Sequence, residues 1–188
     1  MRDRNDKLMF YESSEGSALF PLDKEIDSGK IMKMNGIFLL LGTNIGELKT
    51  NLLKALDELK KHKIRILRKS KIYKTRPWGK FAQPDFLNMA MEVECDYSPQ
   101  VLLKIIKDIE ANMGRKKTVR WGPRIIDIDI LFYGNETVRQ KDLIIPHQEF
   151  YNRPFAIKPL AEIAPDFTPP FSKKKIRDYL TDIDHEGI

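Results

Sequence analysis

Two aspartates in one apolar segment are the residues of this sequence best suited to chemistry. Asp127 and Asp129 alternate with Ile126, Ile128 and Ile130 in the run IIDIDILF. In a β-strand, successive side chains point to opposite faces, so both carboxylates share one face and the isoleucines share the other. A rise of about 3.3 Å per residue places the two aspartates roughly 7 Å apart, which suits one or two hard cations. Two solvated carboxylates at a sheet edge are the simpler alternative.

A strongly basic segment precedes these aspartates. From Gly114 to Arg124 the sequence reads GRKKTVRWGPR, with five basic side chains in eleven positions and no acidic one. Glycine, proline and tryptophan interrupt the run, so it favours a loop around an anion over a solvated helix face. Carboxylates beside basic side chains bind polyphosphates through Mg2+, and we therefore expect a metal–nucleotide site here. The basic residues are Arg115, Lys116, Lys117, Arg120 and Arg124.

A second cluster could hold a flat heteroaromatic ring. Trp78 and Phe86 lie in and just after the proline-rich loop 74–85, and the amide of Asn88 follows. Aromatic faces and an amide can stack on such a ring and hydrogen bond to it, although aromatic residues in strands are more often core residues. The sequence contains neither a GxxxxGK[ST] nor a GxGxxG phosphate motif. His147 is either a phosphate contact or an ordinary loop residue.

The first elements that must position these groups follow from apolar periodicity. The continuous apolar run 37–41 predicts a central strand buried on both faces. A turn then leads into an amphipathic helix over 47–61, with Asn44 as a candidate N-cap. Further strands are predicted at 64–73, 86–93 and 125–133.

The second helix completes a recognisable order of elements. Ser98 and Pro99 are suited to its N-cap and first helical position, and Gly114 to its end. The resulting β-α-β, β-α-β order predicts an α/β (α+β) fold: a ferredoxin-like βαββαβ core with a mainly antiparallel sheet and helices packed on it. Extra C-terminal elements are expected: a short strand near 143–145, a proline-rich helical stretch, and a final helix over 173–180 capped by Ser172.

Composition limits the class of protein. The 188 residues are 41% hydrophobic and 32% charged, a globular profile, and the net charge of +6 suggests an anionic partner. The single cysteine, Cys95, excludes an internal disulfide and a CxxC site. There is no secretory signal and no apolar run long enough for a bilayer, so we expect a cytoplasmic protein. Residues 1–35 lack periodicity and are interpreted as a tail preceding a domain over 36–188.

Five segments resemble the 6-hydroxymethyl-7,8-dihydropterin pyrophosphokinase family of folate biosynthesis. They are LLLGTNIG at 39–46, YKTRPWG at 73–79, QPDFLNMA at 83–90, RWGPRIIDIDILFYG at 120–134 and IIPHQEFYNRPFAIKPLAEIAP at 144–165. The resemblance covers about 36–171. It implies a ferredoxin-like fold that binds MgATP and then the pterin. The β,γ-pyrophosphoryl group of ATP would pass to the pterin hydroxymethyl oxygen, with release of AMP.

The resemblance also implies roles for individual residues. Asp127 and Asp129 match ligands of two Mg2+ ions, and together with Arg115, Arg120 and Arg124 they are the expected catalytic set. ATP-binding positions are Glu110, Arg115, Trp121, Arg124, Ile130, His147 and Arg153. Pterin-binding positions are Thr75, Trp78, Phe86, Asn88 and Phe155.

The sequence departs from the family pattern at several positions. Phe86 stands where a tyrosine is familiar, and Trp78 replaces a smaller aliphatic residue. The basic loop is one residue shorter, which leaves open whether Lys116 or Lys117 takes the second basic role. Asp142 and Gln148 replace residues that touch ATP in some members.

The expected partners follow from the same reading. They are ATP and 6-hydroxymethyl-7,8-dihydropterin, with no nucleic acid, because an RNP1-like strand is lacking, and no membrane. We expect a monomer, with contact to neighbouring folate-pathway enzymes left open. Loops 76–85 and 115–124 are predicted to close over substrates. The alternative is another Mg-nucleotide-dependent transferase on the same fold.

Overall fold

The order of helices and strands follows the predicted core and then extends it. The computed structural model describes residues 36–77, 83–116 and 122–185. Its strands are β1 (Ile37–Thr43), β2 (Arg65–Lys69), β3 (Tyr73–Thr75), β4 (Phe86–Glu94), β5 (Asp127–Tyr133), β6 (Val138–Gln140) and β7 (Leu143–Ile145). Its α-helices are α1 (Leu48–Lys61), α2 (Pro99–Asn112), α3 (Pro154–Ile163) and α4 (Asp178–His185), with a 3-10 turn at Phe150–Asn152.

The main sheet has the order β2-β4-β1-β5, and every neighbouring pair is antiparallel. Because α1 connects β1 to β2 and α2 connects β4 to β5, the four long strands and two helices form the βαββαβ arrangement. The short strand β3 extends the edge by pairing with β4, and β6 and β7 form a separate hairpin. The predicted ferredoxin-like fold with additional C-terminal elements is confirmed.

The central strand β1 separates two apolar layers. Leu39 and Leu41 pack in the cluster that includes α1 and α2, whereas Phe38 and Leu40 pack in the cluster that includes α3. Every residue of β1 is buried, which confirms the prediction of a strand covered on both faces. Its continuous apolar run therefore reflects two covered faces.

Helix α3 is attached to the sheet edge at its C-terminal end. Glu162 accepts a hydrogen bond from the Tyr73 hydroxyl at 2.7 Å and from the backbone N–H of Lys71 at 3.1 Å. Burial, followed by the neighbouring Glu162 carboxylate, raises the pKa of the Tyr73 phenol. The Tyr73 hydroxyl therefore stays protonated and acts as a donor to the helix.

Three predicted boundaries were wrong. The strand expected over 64–73 is divided into β2 and β3, because Ser70 both donates its N–H to Ala90 and accepts the Ala90 N–H through its hydroxyl. The final helix begins at Asp178 instead of 173. Ser172 does not cap it directly, because its hydroxyl contacts the Lys174 backbone and the Tyr179 hydroxyl.

The other two predicted helix caps had different outcomes. Ser98 does cap α2, since its hydroxyl accepts the N–H of Val101. Asn44 does not cap α1, which begins at Leu48 with Glu47 at the N-cap position. Across the described ranges, no helix is long and apolar enough to cross a membrane.

Candidate active site

The register of three neighbouring strands brings the predicted residues together on one face of the sheet. Gly42 of β1 pairs with Asn88 of β4 on one side and with Asp127 of β5 on the other. Two residues earlier in β1, Leu40 lies opposite Asp129 and packs in the cluster that includes α3. The two aspartates therefore share the α3 face, as their alternation predicted.

Asp127 is held by two arginines. Arg115 Nη1 donates to Asp127 Oδ1 at 2.6 Å, and Arg124 Nη1 donates to Asp127 Oδ2 at 2.6 Å. Burial lowers the pKa of the Arg115 guanidinium, but the carboxylates of Asp127 and Glu110 outweigh it and the pKa is raised overall. Both carboxylate oxygens already accept charged donors, so a cation at Asp127 must share this group with the arginines.

Asp129 faces a third arginine and a histidine. Arg153 Nη1 donates to Asp129 Oδ2 at 3.2 Å, and His147 Nε2 lies 3.7 Å from the same oxygen. Burial raises the pKa of the Asp129 carboxyl and the nearby charge of Asp127 raises it further, while His147 and Arg153 oppose this. Mutual repulsion between two carboxylates is the electrostatic condition that a bound divalent cation relieves.

The imidazole of His147 is oriented by the backbone. Its Nδ1 accepts the N–H of Glu149 at 3.2 Å, which leaves the proton of the neutral ring on Nε2, toward Asp129. Burial lowers the pKa of His147 although Asp129 acts in the opposite direction. The neutral ring therefore presents an N–H donor to the carboxylate side of the site.

Glu110 supports Arg115 from helix α2. It is buried, and its Oε1 accepts the N–H of Ile128 at 2.8 Å and lies 2.5 Å from Arg115 Nη1. Its Oε2 accepts from Lys107 Nζ at 2.9 Å. Burial raises the pKa of Glu110, and the cations Lys107 and Arg115 counteract that effect. Glu110 thus fixes Arg115 between α2 and β5.

The predicted ring-binding residues lie beside Gly42. Asn88 is buried, and its Nδ2 donates to Thr75 Oγ1 at 2.7 Å. An ideal Cβ built on Gly42 would lie 3.0 Å from Asn88 Oδ1 and 3.9 Å from Phe86 Cδ1. Glycine therefore provides the space next to the Asn88 amide, between it and Asp127.

Two of the arginines near the aspartates also lie close to aromatic rings. The Arg124 guanidinium carbon lies 5.9 Å from the centroid of the Phe86 ring, and that of Arg153 lies 5.7 Å from the centroid of Phe155. These are cation–π distances. Arg124, which contacts Asp127, and Arg153, which contacts Asp129, therefore also lie against the two rings predicted to bind pterin.

Some predicted residues do not join this arrangement. Ile130 is buried in the core cluster that includes α1 and α2. Trp78, Lys117, Arg120 and Trp121 lie outside the described residues, as do parts of the two loops predicted to close over substrates.

Sequence reasoning missed the role of Asn44. Its side chain bonds to the backbone of Arg124 and to residues 83 and 84, none of which is near it in sequence. The available signal was a polar residue in the turn GTNIG directly after a buried strand, which is equally typical of a helix cap.

The donor set fits Mg2+. In the parts of the chain that the structure describes, no three His, Cys, Asp or Glu side chains form a metal-binding group. Asp127 and Asp129 supply two carboxylates on one face of β5, which suits Mg2+ because it commonly takes one or two carboxylates and completes its shell with phosphate oxygens and water.

Comparison with known proteins assigns a family to this arrangement. A model of the 7,8-dihydro-6-hydroxymethylpterin-pyrophosphokinase family matches residues 38–165. The chain is 39% identical over 156 residues to a 2-amino-4-hydroxy-6-hydroxymethyldihydropteridine pyrophosphokinase of Methylorubrum extorquens, covering 82% of this chain and 98% of the relative. It is 42% identical over 132 residues to the Bacillus subtilis protein of the same name, covering 69% and 79%.

Solved structures share the fold. A crystal structure of HPPK-DHPS in complex with substrates superposes with a TM-score of 0.65 at 16% identity, covering 82% of this chain. Plasmodium falciparum HPPK-DHPS with pteroate gives a TM-score of 0.65 at 18% identity, covering 80% of this chain. This chain spans 44% and 42% of those two chains, respectively.

Proposed function

Because the chain belongs to the 7,8-dihydro-6-hydroxymethylpterin-pyrophosphokinase family, we propose that Asp127, Asp129 and their arginines form its catalytic centre. The chain is a pyrophosphokinase, which transfers a pyrophosphoryl group from ATP to hydroxymethyldihydropterin in folate biosynthesis. One observation carries the assignment of the site. Across β1, Asp127 is in register with Asn88, and Asp129 is in register with Ala90. The carboxylates, which we assign to a phosphate side, and Asn88 with the nearby Phe86, which we assign to a ring side, therefore meet on one face of the sheet.

On the phosphate side, Asp127 and Asp129 would hold two Mg2+ ions together with ATP. Bound in this way, the ions would offset charge on the phosphate oxygens and orient the β-phosphorus for in-line attack. Arg115 and Arg124 would then exchange part of their contact with Asp127 for contact with the phosphates. Guanidinium groups suit this exchange because they remain charged and bind carboxylate and phosphate with the same fork of donors.

Charge counting supports joint binding of metal and nucleotide. Glu110, Asp127 and Asp129 face Arg115, Arg124, Arg153 and Lys107, so the three carboxylates and four cations nearly balance, with one positive charge in excess. A cation alone would add positive charge to the centre, and a triphosphate alone would add negative charge. The two together keep the local charge near balance, which favours MgATP as the bound species.

On the ring side, Phe86 and Phe155 would contact the two faces of the pterin. Asn88 donates to Thr75 through Nδ2, so its Oδ1 is the atom available to accept an N–H from the polar edge of the ring. Arg124 lies between the sides, in contact with both Asp127 and Phe86. The hydroxymethyl oxygen would meet the β-phosphorus next to this guanidinium, which would stabilise charge that develops during transfer.

Product analysis tests the proposal. The protein would be incubated with ATP, Mg2+ and 6-hydroxymethyl-7,8-dihydropterin, and the products separated and quantified. We expect AMP and pterin diphosphate from the wild type and a loss of at least about a hundredfold in Asp127→Ala and Asp129→Ala. Asp57→Ala, which changes an exposed carboxylate of α1, should retain wild-type turnover.

The alternative outcomes are distinct. ADP in place of AMP would indicate another Mg-nucleotide-dependent transferase. Full activity in both aspartate variants would overturn the proposed centre.

Chelation with EDTA should stop turnover and added Mg2+ should restore it. The dependence of turnover on Mg2+ concentration would report on the number of ions.

A further inference from the structure

Asn44 is a buried asparagine directly after β1 with all of its side-chain hydrogen-bonding groups engaged. The side-chain Oδ1 of Asn44 accepts the backbone N–H of Arg124 at 2.8 Å, and the backbone N–H of Asn44 donates to the Arg124 carbonyl at 3.1 Å. Its Nδ2 donates to Gln83 Oε1 at 3.1 Å and to the Pro84 carbonyl at 3.2 Å. One amide thus joins two segments that lie about 40 and 80 positions further along the chain.

The two joined segments serve different sides of the candidate centre. Arg124 belongs to the phosphate side, where its guanidinium contacts Asp127. Pro84 lies two residues before Phe86, where β4 begins and the ring side starts. We propose that Asn44 is a positioning residue that couples the nucleotide side of the centre to the pterin side.

The chemistry of the amide explains why an asparagine is suited to this position. The contact with Arg124 requires an acceptor, and the contacts with Gln83 and Pro84 require a donor. Aspartate could keep the first contact but would place a carboxylate against two acceptor oxygens. Serine or alanine would leave buried backbone groups unsatisfied on at least one side.

A local structural role is already filled by another residue. Asn51 of α1 donates to the Ile45 carbonyl at 2.8 Å and to Thr43 Oγ1 at 3.2 Å, and so holds the turn that contains Asn44. Asn51 contacts neither Arg124 nor residues 83 and 84 in these bonds. It therefore provides a matched control, because it is a buried asparagine that bonds to the same turn from α1 and lacks the contacts with Arg124, Gln83 and Pro84.

The inference rests on the proposed assignment of the two sides, so the experiment measures binding apart from turnover. Calorimetry would give the affinity of Mg2+ with α,β-methylene-ATP, of 6-hydroxymethylpterin, and of each in the presence of the other. The ratio of affinities with and without the second ligand is the coupling factor, which is the same in both directions. We expect this factor to exceed one in the wild type.

The variants separate the contact of Asn44 with Arg124 from its contacts with Gln83 and Pro84. Asn44→Ala should reduce the coupling factor by about tenfold, since hydrogen bonds on both sides are lost. Asn44→Asp should leave the affinity for the nucleotide analogue alone near the wild-type value and reduce the coupling. Gln83→Ala removes one acceptor outside the core, so it should reduce coupling by about threefold without endangering the fold. Asn51→Ala should lower thermal stability and leave the coupling factor unchanged.

Several outcomes would overturn the inference. They are a wild-type coupling factor of one, an unchanged factor in Gln83→Ala and Asn44→Asp, or an equal weakening of both ligands in Asn44→Ala with constant coupling. The last result would assign Asn44 a purely structural role. Failure of the proposed centre is recognised separately, because Asp127→Ala would then retain turnover whatever the coupling measurements give.

Discussion

Gly42→Ala tests whether the space beside the Asn88 amide is part of the pterin site. The added methyl carbon would lie 3.0 Å from Asn88 Oδ1, which is closer than nine in ten contacts of Cβ atoms, and 3.9 Å from Phe86 Cδ1, an ordinary contact. The amide must therefore shift by a few tenths of an ångström from the position in which it makes its 2.7 Å bond to Thr75. Overpacking costs roughly 1–3 kcal/mol, and the small displacement places this case near 1 kcal/mol.

The expected kinetic effect follows from that energy. A loss of about 1 kcal/mol corresponds to about a fivefold decrease in kcat/KM for the pterin. The affinity for Mg2+ with α,β-methylene-ATP, measured without pterin, should stay at the wild-type value because the new methyl contacts Asn88 and Phe86 instead of Asp127. Steady-state kinetics with varied pterin and calorimetry with the nucleotide analogue are the two assays.

A double-mutant cycle decides whether the effect passes through Asn88. In Asn88→Ala the amide is gone, so adding Gly42→Ala should cause almost no further loss in kcat/KM for the pterin. Additive losses in the double variant, or a weaker nucleotide affinity in Gly42→Ala alone, would refute the reasoning. Thermal unfolding of all four proteins would confirm that they are folded under assay conditions.

Two further predictions address the nucleotide side and the fold. Glu110→Gln removes the negative charge that holds Arg115. We therefore expect the KM for MgATP to rise about tenfold, while the affinity for pterin without nucleotide stays unchanged. Equal losses of affinity for both ligands would contradict this. Ser98→Ala removes the N-cap hydrogen bond from the Val101 N–H, which is long at 3.4 Å. The free energy of unfolding should therefore fall by about 0.5–1 kcal/mol while the KM values stay unchanged. Denaturant titration would measure this loss.

Local sequence patterns predicted the parts of the molecule that depend on near neighbours. The alternation around Asp127 and Asp129 placed both carboxylates on one face, and Ser98 marked the start of α2. The βαββαβ order followed from the sequence of periodicities. These signals were sufficient because alternation and capping act over a few residues.

Contacts between distant residues explain what the sequence could not predict. Ser70 divides the predicted strand through bonds to Ala90. Local patterns did not place Arg153 and His147 beside Asp129, and only the family resemblance indicated them, because they reach Asp129 where the chain returns across the sheet after β7. Asn44 is the clearest case. An asparagine in a turn before a helix has the same local pattern whether it caps the helix or bonds to distant backbone.

The attachment of α3 has a consequence for how the site tolerates change. Arg153 connects the N-terminal end of this helix to Asp129, while Glu162 connects its C-terminal end to Lys71 and Tyr73. Phe155 therefore lies on a helix that is attached to β5 at one end and to the β3 edge of the sheet at the other. We therefore expect a substitution at the outer sheet edge to change the spacing between Phe155 and Asp129 by tilting this helix, and so to alter substrate preference without changing either residue.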